Sequence, residues 1–178
     1  MIATAEHDDA HARFPGVRER LLDESGVGLD RLAEIARRLA RVVLPGDIVV
    51  LSGPLGAGKT TLVRFLCRGL GVIDPVRSPS FTIANIYAGP VPVHHLDLYR
   101  LEQLQDEDAL VLEDYLTPDA VTMVEWPDTG LSRLGEPAWA VRLEHESPES
   151  RVVHLDGTPA AAARWRAVFG PPEGRQGA

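Results

Sequence analysis

Asp47-Ile48-Val49-Val50-Leu51-Ser52-Gly53-Pro54-Leu55-Gly56-Ala57-Gly58-Lys59-Thr60-Thr61-Leu62-Val63-Arg64-Phe65-Leu66-Cys67-Arg68-Gly69-Leu70 is the stretch that decides the fold. Residues 53–60 satisfy the phosphate-binding pattern G-x-x-x-x-G-K-[ST] at every required position. The pattern encodes a mechanism: glycines let backbone N–H groups close around phosphate oxygens, the lysine brings a mobile charge to the terminal phosphates, and the following hydroxyl can reach Mg²⁺. The apolar run from Asp47 to Ser52 predicts a buried strand entering the loop. Leu62, Phe65, Leu66 and Leu70 share one face of a helix leaving it. That helix aims its free N–H groups and its positive dipole end at the phosphates.

Working outward, Leu32, Ile35, Ala36, Leu39, Val42 and Val43 recur at helical spacing, with Asp30 as N-cap and Pro45-Gly46 as the stop. After Gly71, the stretches Phe81–Tyr87 and Val91–Asp97 read as strands. The turn between them is too short for a parallel crossover, which predicts an antiparallel hairpin. Leu101–Leu112 is acidic, amphipathic and expected to be helical. Ala120–Glu125 is a buried-strand pattern ending in an acid. Trp139–Glu146 and Arg151–Asp156 form a second strand pair across Ser147–Ser150, and Pro159–Phe169 fits a helix. The expected architecture is an α/β P-loop NTPase sandwich with a mixed parallel and antiparallel central sheet flanked by helices. Residues 1–27 read as a flexible extension with a short helix around Val17–Leu22, residues 28–170 as the P-loop ATPase domain and 171–178 as a tail.

The chain has 178 residues, a formal net charge of −8 and one cysteine. No intrachain disulfide is possible, which suits a reducing cytoplasm. Cys67 reads as a small core residue, with a thiol nucleophile as the remote alternative. No apolar run approaches the roughly 20 residues of a membrane span. Proteins that grip nucleic acid on their own usually present a basic face, so the acidic balance points any role in nucleic-acid metabolism through a protein partner.

A P-loop works with Mg²⁺, which takes hard oxygen ligands. Thr60 supplies a hydroxyl, and a carboxylate must come from the C-terminal end of a neighbouring strand. Asp97 and Glu125 both qualify. Each can bind the ion directly or through water, or one can orient the attacking water. Arg77–Thr82 reads either as a hydroxyl-rich switch segment reaching the γ-phosphate or as a turn capped by its own Ser and Thr. His94 and His95 face opposite ways on a strand, which disfavours a shared metal. Trp126 reads as packing, lid or contact surface. The guanine signature Asn-Lys-x-Asp is absent, which favours ATP.

Taken in order, the P-loop Gly53–Thr61, Ser78-Pro79-Ser80-Phe81-Thr82, His95-Leu96-Asp97-Leu98-Tyr99-Arg100-Leu101, Asp114-Tyr115-Leu116 and Val124-Glu125-Trp126-Pro127 resemble the bacterial TsaE (YjeE) family over about Leu29–Glu146. The resemblance implies a small cytoplasmic ATPase required for threonylcarbamoyladenosine at the tRNA adenosine beside the anticodon. It implies action on the TsaB and TsaD proteins, with tRNA engaged only indirectly. It assigns Gly53, Pro54, Leu55, Gly56, Ala57, Gly58, Lys59, Thr60 and Thr61 to nucleotide contacts, and Thr60 and Glu125 to Mg²⁺. Asp97 becomes a second functional acid beside the metal, Thr82 a sensor of the γ-phosphate, and Leu29 and Arg151 borders of the nucleotide. Lys59, Asp97 and Glu125 carry the catalysis, which is expected to be slow without a partner. Two positions depart from the family pattern: Ser80 stands where Thr is usual, and Val111 where Gly is common. The rival readings are a small-molecule kinase and a non-hydrolysing, nucleotide-gated binding module.

Overall fold

The structure, a computed structural model, describes residues 19–79, 82–98, 110–126 and 135–171. Seven strands form one sheet: β1 (Glu19–Val27), β2 (Ile48–Ser52), β3 (Ala84–Tyr87), β4 (Val93–Asp97), β5 (Val121–Glu125), β6 (Trp139–His145) and β7 (Arg151–Gly157). Their order is β1-β7-β6-β2-β5-β4-β3. The inner strands β6, β2, β5 and β4 run parallel, while β3 and the β7–β1 pair are antiparallel to their neighbours. This is the mixed sheet expected from the sequence, including both hairpins. The parallel core explains why β2 and β5 read as unbroken apolar runs, because each is covered on both faces.

Three helices, α1 (Leu29–Ala40), α2 (Lys59–Gly69) and α3 (Pro159–Phe169), share one face of the sheet. Leu32, Ile35 and Leu39 of α1, Leu62, Val63 and Leu66 of α2, and Ala161, Ala162 and Trp165 of α3 join Val49, Leu51, Met123, Val141 and Leu155 in one core. α1 and α2 approach so closely that a Cβ on Gly69 would lie 2.6 Å from the Ala40 Cβ. The opposite face carries a smaller core of Val50, Leu96, Leu98, Leu112, Val124 and Ala140. Thr158 caps α3 by accepting from the Ala161 N–H at 3.3 Å, with Pro159 preorganising the first turn.

Three expectations are corrected. Residues from Glu19 onward are not part of a flexible extension or a short helix: Glu19–Val27 is an edge strand on β7. A register shift between Arg20 and Leu22 lets the adjacent Leu21 and Leu22 both be buried, and a second shift follows Glu24. Such bulges erase the alternation by which a strand is recognised. The N-cap of α1 is Gly28, with no side-chain cap, and Asp30 sits inside the first turn. There its charge still complements the helix dipole. Over the expected acidic helix, residues 101–109 lie outside the described residues and Leu110–Tyr115 forms a 3-10 helix. Residues 1–18 and nearly all of the expected tail, 172–178, also lie outside them. Among the described residues no helix is long and apolar enough to cross a membrane.

Candidate functional site

The site lies where β2, β5 and β4 end side by side. Leu51 is in register with Glu125, and Glu125 with Asp97. Side chains two residues apart share a sheet face. His95, Asp97 and Glu125 therefore lie on the same face as Val93 and Met123, the face that carries α2. This is the crevice beyond the carboxyl ends of parallel strands.

Gly53, Gly56 and Gly58 have φ of +132°, +76° and +107°. Only glycine adopts such angles without strain, and they bend the chain from β2 through the loop into α2. The carbonyls of Gly53 to Gly58 all have partners within or beside the loop. Gly53 O accepts from Lys59 Nζ at 2.7 Å, and Pro54 O accepts from the Ala57 N–H and from Lys59 Nζ, both at 3.1 Å. His145 Nε2 lies 3.1 Å from Leu55 O. Arg151 donates to Ala57 O at 3.1 Å and Gly56 O at 3.4 Å, and Gly58 O takes the Leu62 N–H at 2.9 Å. The N–H groups of Leu55, Gly56, Gly58, Lys59 and Thr60 make no hydrogen bond among the described residues. Unspent N–H groups around a concave turn at a helix N-terminus form an anion cradle.

Lys59 is buried, with its ammonium 3.8 Å from the Trp126 ring centroid. Burial lowers its pKa, while the charges of Glu125 and Asp97 act in the opposite direction. Trp126 takes a left-handed φ of +55°, rare for a bulky side chain. Its N–H donates to Leu51 O at 3.2 Å, which ties the turn after Glu125 to the P-loop strand.

Thr60 Oγ1 donates to Glu125 Oε1 at 2.8 Å. His95 Nε2 meets the same oxygen at 2.9 Å. Mg²⁺ holds oxygens at about 2.0–2.1 Å in an octahedron, so adjacent ligand oxygens stand about 2.9 Å apart. The Thr60–Glu125 pair already has that spacing, and both are hard oxygen donors. The donor set fits Mg²⁺. Asp97 accepts from Ser78 Oγ at 3.2 Å, which brings the loop after α2 to the acidic end of the site.

Thus the structure brings Lys59, Thr60, Glu125 and Asp97 together at the ends of β2, β5 and β4. Thr82 is placed differently from Ser78. It is exposed, and its contacts are local, to Asn85 Oδ1 at 3.3 Å and Pro79 O at 3.2 Å. Leu29 stands exposed at the start of α1, whose Leu32 lies against Gly58. Arg151 spends its guanidinium on carbonyls of the P-loop and of the Ser147–Ser150 turn. It shapes the loop from outside. The sequence does not single out His95 or His145 as parts of the site, and it offers Ser78 only within the Arg77–Thr82 segment. The signal for His95 was its position two residues before Asp97 on the same strand face. Its neighbour His94 points to the other face, where Nδ1 lies 2.7 Å from Tyr115 O. Cys67 is buried, which pushes its thiol up to about 12 and makes it a core residue.

A strand, a glycine loop closing N–H groups at a helix start, and an acid on the adjacent parallel strand define a P-loop nucleotide-binding protein. The model of the family described as threonylcarbamoyl adenosine biosynthesis protein TsaE matches residues 28–153, and the chain belongs to that family. A tRNA threonylcarbamoyladenosine biosynthesis protein TsaE of Streptomyces coelicolor is 43% identical over 117 residues, covering 64% of this chain and 78% of that one. Its counterpart in Mycobacterium tuberculosis H37Rv is 36% identical over 166 residues, covering 86% and 94%. The crystal structure of Bacillus subtilis YdiB superposes with a TM-score of 0.67 at 26% identity, covering 85% of this chain and 94% of that one.

Proposed function

We propose that this chain binds ATP with Mg²⁺ at the P-loop and hydrolyses it slowly. In this reading its cycle serves the formation of threonylcarbamoyladenosine beside the tRNA anticodon. It acts in the cytoplasm on the TsaB–TsaD protein pair and meets tRNA only through them. One observation carries the nucleotide reading: Thr60 and Glu125 stand 2.8 Å apart beside a loop in which the N–H groups of Leu55, Gly56, Gly58, Lys59 and Thr60 are unspent among the described residues. Gly53–Thr61 and Lys59 hold the phosphates. Thr60 and Glu125 hold Mg²⁺, which when bound neutralises charge on the transferring phosphoryl group. Asp97 orients water or supports the metal, and Ser78 keeps it on the site side of its loop. Thr82, Leu29 and Arg151 border the nucleotide, Arg151 by fixing the loop. Phosphoryl transfer of this kind is positioning and charge stabilisation, with little covalent work for side chains. The partner reading rests on the family and on the acidic balance of −8, which argues against an independent grip on tRNA.

The test is a pull-down with TsaB–TsaD under ATP, ADP and no nucleotide, paired with ATP turnover alone and with the partners. Nucleotide-dependent capture and partner-stimulated turnover are expected. Brisk turnover alone that the partners leave unchanged removes the partner-dependent reading. Glu125→Gln separates hydrolysis from gating: capture retained with tRNA modification lost supports hydrolysis, and full modification supports a nucleotide-gated binding module.

A further inference from the structure

We propose that His95 is a positioning residue for the metal-binding carboxylate, holding Glu125 in the orientation that Thr60 and a divalent cation require. This rests on the reading of Thr60 and Glu125 as the Mg²⁺ pair.

His95 is fully buried on β4. Its Nε2 lies 2.9 Å from Glu125 Oε1. A carboxylate offers no donor, so Nε2 carries the hydrogen. The other ring nitrogen, Nδ1, is buried with no partner among the described residues. Among the described residues its polar contact goes to the acid of the site. The geometry explains the choice. β4 and β5 are parallel neighbours with His95 in register with Met123, two residues before Glu125 on the same face. From there the imidazole reaches the carboxylate from the β4 side, while Thr60 reaches the same oxygen from α2. The terminal torsion of a glutamate is soft. Two donors from different elements on one oxygen fix it. Groups that orient a metal ligand from behind typically alter metal affinity by about 10–100-fold when removed.

The test compares wild type, His95→Gln and His95→Met. Gln keeps a donor at the end of a side chain of similar length, and Met keeps the volume without it. Fluorescent ADP is titrated in EDTA and then in rising Mn²⁺, with Mn²⁺ binding followed by electron paramagnetic resonance. His95→Met is expected to weaken Mn²⁺ at least 10-fold while leaving metal-free ADP binding within 2-fold, and His95→Gln to recover most of the loss. If His95→Met does not fold, His95→Leu makes the same comparison. If neither apolar variant folds, His95→Gln alone decides, and a 10-fold loss there overturns the proposal. Equal Mn²⁺ affinity in all variants, equal losses in Gln and Met, or a matching loss of metal-free ADP binding also overturns it. Wild type that binds ADP with no Mn²⁺ dependence defeats instead the underlying assignment of Thr60 and Glu125.

Discussion

Gly53→Ala probes the seat of the P-loop in the sheet. Gly53 leaves β2 at φ +132°, and a Cβ there would stand 2.1 Å from the Leu143 carbonyl oxygen of β6, where ordinary contact begins at 3.4 Å. Leu143 is backbone in the β6–β7 ladder, in register with Val153, so it cannot swing aside as a side chain would. Left-handed strain costs about 1–3 kcal/mol, and forcing a rigid contact apart costs about 1–3 kcal/mol more. The sum, about 2–6 kcal/mol, is a large share of a stability of about 5–15 kcal/mol. For a chain of this length, at about 2–4 °C per kcal/mol, it lowers the melting temperature by about 4–24 °C. Gly26→Ala is the control, because Gly26 has φ +69° but nothing within 4 Å of its Cβ position. There only the left-handed penalty of about 1–2 kcal/mol applies. Melting followed by circular dichroism ranks the two. If Gly53→Ala melts within about 2 °C of wild type, or no lower than Gly26→Ala, the close seat of the loop against β6 is wrong.

Further outcomes follow from the same contacts. Arg151→Ala removes the donors to Ala57 O and Gly56 O and should weaken ATP binding about 10-fold by calorimetry, the effect of about 1.4 kcal/mol, while the fold survives. Asp47 Oδ2 accepts from the Leu44 N–H, Trp139 Nε1 and Arg164 Nη2, and Trp139 is fully buried. Asp47→Ala should therefore cost about 2–4 kcal/mol in urea unfolding. Native Cys67 should resist a thiol reagent at pH 8. The folded state holds this thiol protonated up to about 12, whereas the unfolded chain loses the proton near its ordinary 9.0. Stability from Cys67 is thus full below 9.0 and is lost as pH rises toward 12, and Cys67→Ala should flatten that part of the pH profile.

Much of the site's scaffold could be read from the chain because its signals are local. The strand, glycine loop and helix from Ile48 to Gly69 are consecutive, and the Thr158-Pro159 start of α3 is a cap with its own chemistry. The parallel β4–β5 pairing is not local. It alone brings His95 to Glu125 and sets Asp97 beside it, so the shared carboxylate oxygen could not be read from spacing. β1 is not legible because bulges break its alternation and its acidic residues are answered by partners elsewhere in the fold, Glu24 by Arg31 and Asp23 by His154. The family resemblance sets Arg151 at the nucleotide border. The carbonyls it serves, in the P-loop and in the Ser147–Ser150 turn, lie far apart in the chain and meet only in the fold. Ser78 rather than Thr82 touches Asp97, because the loop's direction depends on Tyr87, whose hydroxyl accepts from the Arg77 N–H and donates to the Arg77 carbonyl.

The central claim is that the N–H cradle, Lys59 and the Thr60–Glu125 pair form one Mg²⁺–nucleotide site. Calorimetric titration of ATP into the full chain, with Mg²⁺ and with EDTA, tests it most directly alongside Lys59→Ala. The account predicts one site per chain, tighter with Mg²⁺ and lost in Lys59→Ala. Failure of the wild type to bind ATP, or binding that neither Mg²⁺ nor Lys59→Ala alters, would contradict it.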